Sequence, residues 1–242
     1  MAFNRIVASL APIDSEALTS RMVGIGMNFA ASPAPEPNIE DTILLASIEG
    51  VEKHDLRVLA VLVTWLGIHA PWVNADRLTN LVATEKSVRV KALWSALALW
   101  QKRDRRFARL GELYVGPRQD VVGAGTDYQV QRYGEDKRFE ASPIRVAANV
   151  LRDRVADVLQ PSVLAGRHLA YRYRVMMGPN YRADMWAALE RHPELTAAAL
   201  ARNTYGSFAT AWRVRRDFGL VRGAASPGSG FRPQRRKPTR SA

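Results

Sequence analysis

Three short helical patterns near the carboxyl end constrain the fold of this chain more than any other feature. Apolar residues at helical spacing predict helices at residues 182–191, 197–202 and 208–218. His192-Pro193 stops the first helix, and Thr196 can cap the second. Asn203-Thr204-Tyr205-Gly206 forms a turn, and Ser207 can cap the third helix. Gly219-Leu220-Val221 ends the third helix and offers the start of a strand. Three helices followed by a strand are typical of a winged helix-turn-helix unit, predicted here at residues 182–222.

The third of these helices has an apolar face and a polar, basic face. The residues that can face a core are Phe208, Ala211, Trp212 or Val214, and Phe218. The residues that can face outward are Ser207, Thr210, Arg213 and Arg216, with Arg215 near the edge. Arginine binds both guanine edges and phosphates, so helix 207–218 is predicted to enter the major groove of DNA. Trp212 is assigned to the core or to stacking on a base or sugar.

Net charge supports a polyanionic partner. The 242 residues include 35 Lys and Arg against 23 Asp and Glu, which gives a net charge of +12. Residues 86–109 contain eight basic residues and one acid, and residues 202–222 contain five basic residues and one acid. The charge therefore concentrates in two regions. The predicted DNA-binding residues are Ser207, Thr210, Arg213, Arg215, Arg216, Arg222, Lys86, Arg89, Lys102, Arg103, Arg105, Arg106, Arg109, Arg235, Arg236 and Lys237.

The amino-terminal half shows a similar order of elements. Helices are predicted from about 54 to 67, after Asn74 and after Ser87, followed by a strand at 112–115. Residues 116–138 are glycine-rich and predict a loop with one or two strands, a candidate wing. Further helices are predicted from Ser142-Pro143 to Pro161 and over 162–177.

These patterns give a mainly α fold with two winged helix-turn-helix units, a helical middle region and small β-wings. The alternating prolines at 33–37 predict that residues 1–38 form an arm or linker. The segments that follow are a winged-helix-like domain at 39–140, a helical connector at 141–181 and the winged unit at 182–222. Residues 223–242 are predicted to be a disordered basic tail.

Several functional classes lack the residues that they need. The chain has no cysteine, which excludes disulfides, iron–sulfur clusters and thiol nucleophiles. No two of the four histidines stand at metal-ligand spacing, and neither Gly24-Ile25-Gly26 nor Gly123-Ala124-Gly125 completes a nucleotide-binding loop. We therefore expect no enzyme activity, no metal and no cofactor. The longest apolar stretch, 56–72, contains Arg57 and His69 and is too short to span a membrane, so a cytoplasmic protein without a membrane partner is expected.

Residues 171–221 resemble a known group of proteins. The segments that carry the resemblance are Arg172-Tyr173-Arg174-Val175-Met176-Met177-Gly178, Arg182-Ala183-Asp184 and Leu200-Ala201-Arg202. They resemble bacterial winged-helix DNA-binding proteins and are similar in layout to the antitoxin subunit of abortive-infection type IV toxin–antitoxin pairs. The resemblance implies a bacterial DNA-binding regulator, with a toxin or defence component as a possible protein partner.

The sequence thus predicts a sequence-selective protein that binds double-stranded DNA, reads it with helix 207–218 and holds phosphates with residues 102–109. A homodimer is compatible with this reading, and the oligomeric state stays open. One alternative is an interaction module that neutralises a toxin or scaffolds a defence or repair assembly. Another is an RNA-binding protein that uses the same charge without entering a major groove.

Overall fold

The computed structural model describes residues 10, 11 and 13–225, and this part of the chain is mainly helical. Its α-helices are α1 (Ser15–Gly24), α2 (Ile39–Glu52), α3 (Leu56–His69), α4 (Ala75–Thr84), α5 (Val88–Trp100), α6 (Ala108–Gly111), α7 (Thr126–Tyr133), α8 (Pro161–Arg167), α9 (Leu169–Met177), α10 (Tyr181–Arg191), α11 (Ala197–Asn203) and α12 (Phe208–Ala225). Two short strands, β1 (Gln119–Asp120) and β2 (Ile144–Arg145), pair in parallel.

The buried apolar residues form two separate clusters. The larger cluster contains residues from Leu18 to Tyr171 and is built around α2, α3, α4 and α5, of which α3 is buried along most of its length. The smaller cluster contains residues from Tyr181 to Phe218 and belongs to α10, α11 and α12. We call these parts the body and the three-helix unit. The predicted boundary between residues 140 and 141 therefore runs through the core of the body.

The structure corrects the predicted amino-terminal arm. Helix α1 lies within it and packs against α2, with Leu18 and Met22 buried in the core of the body. The alternating prolines occupy only the connection between α1 and α2, and Pro37 is itself buried. Apolar burial by α1 thus outweighs the extended tendency of the short proline segment.

Helices α4 and α5 begin where the sequence predicts. The Asn74 side chain accepts a hydrogen bond from the backbone N–H of Arg77, and Ser87 accepts one from Val90. Both are standard N-caps, which satisfy backbone donors left free at a helix start. The predicted strand at 112–115 is not formed: α6 ends at Gly111, and Val115 is almost fully exposed.

The segment after Ser142 is not the predicted helix. Ile144 and Arg145 form β2 instead, and the Arg145 guanidinium pairs with Asp120 of β1 and Asp127 of α7. Ile144 and Val146 are buried on the core side of this short strand. Strand pairing and ion pairs between distant residues therefore override the helical spacing of the apolar residues. Within 116–138 the single strand is β1, and α7 is a helix that the sequence pattern did not predict.

The predicted helix at 162–177 is divided into α8 and α9. His168 lies between them with extended backbone, and its Nδ1 accepts a hydrogen bond from the N–H of Tyr171, so it caps α9. Its Nε2–H donates to the carbonyl of Pro37, which ties this break to the connection before α2.

The three-helix unit has its predicted helices but not the predicted strand. Leu189, Leu200 and Val214 lie at the centre of its core, fully buried. Residues 219–221 are helical because α12 runs on to Ala225, so no wing strand starts there. Residues 223–225 of the predicted basic tail belong to the same helix, and the rest of that tail lies outside the described residues.

Candidate nucleic-acid interface

Helix α12 presents one face to the core of the three-helix unit and the opposite face to solvent. Ala211, Val214 and Phe218 recur at helical spacing and are buried against α10 and α11. Arg213 and Arg216 lie on the other side and are exposed. The predicted core position Phe208 is wrong, since this residue is 59% exposed. Of the two alternatives for the next core position, Val214 is buried and Trp212 is 53% exposed. The surface of α12 is therefore both cationic and aromatic.

The start of α12 is fixed by two hydroxyl groups. Ser207 Oγ accepts a hydrogen bond from the N–H of Thr210 at 3.1 Å and lies 2.8 Å from the Thr210 hydroxyl. Both predicted contact residues thus act first as a helix cap. The cap orders the first turn of α12, and the arginines of this helix lie after that turn.

The turn before α12 is held by the body. Tyr205 adopts a left-handed backbone conformation with φ of +57°, which is uncommon for a bulky side chain. The guanidinium of Arg77, a fully buried residue of α4, lies over the Tyr205 ring at 3.5 Å from its centroid. This contact joins the body to the turn between α11 and α12 and compensates part of the backbone strain.

The arginines of α12 differ in their partners. Arg216 pairs with Asp217 at 2.9 Å, and the hydrogen bonds from Arg216 lower the pKa of the Asp217 carboxyl. Arg182 of α10 lies 3.6 Å from the same carboxylate. Arg213, Arg215 and Arg222 are exposed and have no ion-pair partner within the described part of the chain. These three side chains are the ones most available to a bound anion.

The basic run at 102–109 divides into free and anchored side chains. Lys102, Arg103 and Arg105 are exposed. Arg106 is anchored, because its guanidinium donates to the Asp104 carboxylate and to the carbonyls of Ala70 and Val73. The Arg106 hydrogen bonds also lower the pKa of Asp104. Arg106 therefore serves the fold of the body, and its neighbours carry the available charge.

Arg109, the last residue of this run, and the predicted contact residues outside it have different surroundings. Arg109 is 71% exposed and lies 3.5 Å from Asp76, whose carboxylate also accepts a hydrogen bond from the hydroxyl of Tyr181 at the start of α10. Lys86 is exposed beside the start of α5, whereas Arg89 is half-buried and donates to the carbonyl of Val121. Arg235, Arg236 and Lys237 lie outside the described residues. Arg109 thus brings the basic run next to the three-helix unit.

A buried ion network joins the three-helix unit to the body. Arg174 of α9, only 1% exposed, donates to Glu40 of α2 and to Asp184 of α10 at distances of 2.6 to 2.9 Å. Burial opposes charge on these groups, but the two carboxylates outweigh it and raise the pKa of Arg174. Burial likewise would raise the pKa of Glu40, yet Arg174 and Arg77 lower it. Arg174 and Glu40 are therefore both charged in the folded protein.

Sequence patterns did not point to this network. Glu40, Arg77 and Arg174 lie on helices where a charged residue is expected to face solvent, and their partners are distant in the chain. Trp212 was recognised, but its exposure depends on the tertiary packing of α12.

No family model, curated protein or solved structure matches this chain. Across residues 10, 11 and 13–225, no helix is long and apolar enough to cross a lipid bilayer. The same residues contain no group of three or more histidine, aspartate and glutamate side chains placed to hold a metal ion.

Proposed function

We propose that the protein binds double-stranded DNA and that α10, α11 and α12 act as a helix-turn-helix. The observation that carries this proposal is the surface of α12: Arg213 and Arg216 face solvent on the side opposite to its buried apolar residues. A helix with that arrangement, braced by two others, can lie in the major groove while arginines contact base edges.

The body supplies phosphate contacts in this proposal. Lys102, Arg103 and Arg105 are exposed near Arg109, and Arg109 adjoins the start of α10 through Asp76 and Tyr181. Cations placed beside a recognition helix fix its register on the duplex without reading sequence. The resemblance to antitoxin-type regulators is compatible with this function, and a toxin partner remains a separate proposal.

A comparison of three nucleic acids tests the proposal. Mobility-shift titrations with duplex DNA, single-stranded DNA and structured RNA should show the tightest binding to the duplex. A duplex selected from a random library should bind more tightly than the unselected pool. Equal affinity for selected and unselected duplexes would exclude sequence-selective recognition, and tighter binding of structured RNA would favour the RNA-binding alternative.

The second candidate function is protein docking. Phe208, Leu220 and Val221 are large apolar residues that α12 leaves exposed, and exposed apolar residues are typical of protein interfaces. Under this alternative, substitutions at Arg213 and Arg105 leave duplex affinity unchanged, whereas Leu220→Ala weakens capture of a partner protein.

A further inference from the structure

A shallow groove of about 450 Å³ runs along one flank of α12, beside its arginine face. Its lining residues are Pro193, Trp212, Arg215, Arg216, Phe218, Gly219 and Arg222. Trp212 is the exception among the six tryptophans, because the other five are buried or mostly buried and its own indole is half exposed. The guanidinium carbon of Arg216 lies over the Trp212 ring at 5.7 Å from its centroid, so the groove holds a half-exposed flat aromatic ring among arginines.

The charged residues that line the groove are all positive. Three arginines line it and no acidic residue does. Asp217, which lies between the lining residues Arg216 and Phe218 in the chain, is paired with Arg216 and Arg182. Arg215 and Arg222 keep their positive charge without an ion-pair partner in the described part of the chain, and Arg222 also lies 5.1 Å from the Phe218 ring centroid.

We propose that this groove is a binding site for an unpaired nucleotide of a single-stranded nucleic acid. The base stacks on the indole of Trp212, and the adjoining phosphates pair with Arg215 and Arg222. Cationic grooves with exposed aromatic rings bind single strands in this way, because every base has a flat face and every nucleotide carries a phosphate. The site shares Arg216 with the proposed duplex contact, but it is centred on Trp212, Arg215 and Arg222, whereas Arg213 lies outside the groove.

The combination of ring and charge decides between possible ligands. Bases within a duplex are already stacked on each other, so an indole at the surface cannot stack on them. An acidic peptide would satisfy the arginines but has no ring to place on Trp212. An unpaired nucleotide uses both features of the groove.

Tryptophan emission and binding affinity test the site in the full chain. The probe is an oligothymidylate of about twelve nucleotides, which is within the usual site size of such grooves. We expect it to quench the intrinsic emission at low salt and Trp212→Phe to remove most of that quenching. Trp212→Leu should weaken binding about tenfold, as expected for the loss of one stacked base. The double variant Arg215→Gln and Arg222→Gln should flatten the salt dependence by about 1.4, at ~0.7 per phosphate contact on a single strand.

A control variant and a folding measurement show whether a loss of oligothymidylate binding comes from the groove itself. Val163→Ala changes an exposed apolar residue of α8 outside the groove and should leave oligothymidylate affinity unchanged. Thermal melting should show all variants folded, since the substituted side chains are exposed. The inference is overturned by binding without quenching, by wild-type affinity in Trp212→Leu, or by equal quenching with a blunt-ended duplex that has no unpaired base. It is also overturned if poly-glutamate binds as tightly as the oligonucleotide. Duplex affinity of Arg213→Ala tests the proposed function separately, so either proposal can fail alone.

Discussion

Arg213 and Arg216 carry the same guanidinium group three positions apart on α12, yet their surroundings differ. Arg216 is partly neutralised by Asp217, whereas Arg213 has no ion-pair partner within the described residues. A free guanidinium gains more from a new anion or base edge than a paired one does. Arg213 is therefore the residue whose removal should affect DNA binding most directly.

Arg213→Ala should lower affinity for a selected duplex by about 1–3 kcal/mol and affinity for random duplex by much less. The reason is the loss of a bidentate contact to a base, which random DNA does not provide consistently. Paired anisotropy titrations on the two duplexes measure the difference. Arg167→Ala, an exposed arginine of α8, is the control and should change neither affinity. Equal weakening on both duplexes would make Arg213 a phosphate contact only.

His69 makes stability depend on pH at a single buried side chain. Its Nε2–H donates to the carbonyl of Leu159, and its Nδ1 accepts from the hydroxyl of Tyr171 at 2.7 Å. Burial lowers the pKa of His69 to about 4, so the folded protein holds it neutral. Since the unfolded pKa is about 6.5, stability is complete above that pH and falls as the pH drops toward 4.

Between pH 7 and pH 4 the free energy of unfolding should lose about 3 kcal/mol because of His69 alone. Urea unfolding of wild type and His69→Gln at both pH values isolates the contribution of His69 to the free energy of unfolding, because the variant lacks the titrating ring. His54→Gln changes an exposed histidine and should behave as wild type. The same pH-dependent loss in His69→Gln would assign the effect to other groups.

At the scale of elements, neighbouring residues predict where helices begin, whereas contacts between distant residues decide whether a segment forms a helix or a strand and which face is buried. The caps Asn74, Ser87, Thr196 and Ser207 all act at the predicted places, because a cap involves only neighbours in sequence. The chain after Ser142 departs from prediction because β2 depends on a partner strand and on ion pairs with Asp120 and Asp127. The choice between Trp212 and Val214 for the core of the three-helix unit also depends on distant contacts, because α10 and α11 decide which face of α12 is buried.

Two glycines of the three-helix unit should respond in opposite ways to the same substitution. A Cβ on Gly206 would lie 2.2 Å from the Cε of buried Met185, so Gly206→Ala should cost about 1–3 kcal/mol. Gly219 lies within α12 with no atom near the position of a Cβ, so Gly219→Ala should stabilise by about 0.5–1 kcal/mol.

Chemical unfolding of both glycine variants measures these changes. Met185→Leu removes the Cε, and in the double variant it should recover part of the cost of Gly206→Ala. Destabilisation that Met185→Leu leaves untouched would locate the strain in the backbone of the turn rather than in this contact.

At the scale of the whole molecule, the ion network between body and three-helix unit should dominate single-charge effects. Glu40→Gln leaves Arg174 and Arg77 short of a buried counter-charge and should cost about 3–5 kcal/mol of unfolding free energy. Glu49→Gln breaks a surface pair with Lys53 and should cost about 0–1 kcal/mol. Denaturant titration compares the two, and a similar small loss in both would remove the network as a source of stability.

DNA affinity should fall steeply with salt if both cationic regions bind phosphates. About six neutralised phosphates predict a slope near −5 for log K against log salt, and a slope shallower than about −2 would contradict the proposed footprint. Arg103→Gln with Arg105→Gln should flatten the slope by roughly two without unfolding the body, because both side chains are exposed. Arg106 is unsuitable for this test, since its anchoring contacts would be lost as well.

The charged joint between the body and the three-helix unit also bears on how such chains diversify. The joint includes ion pairs at Arg174, the hydrogen bond from Tyr181 to Asp76, the ring contact at Tyr205 and the stacking of Tyr173 on Trp186. The apolar clusters on its two sides are separate. Charged groups that are separated from their ion-pair partners are readily hydrated. Exchanging residues 180–225 between related genes would therefore expose little apolar surface that could cause aggregation. On the proposed function, recombination at this point would change the DNA sequence that is read and retain the body, provided that the new segment keeps the contacts of Asp184 with Arg174 and of Tyr205 with Arg77.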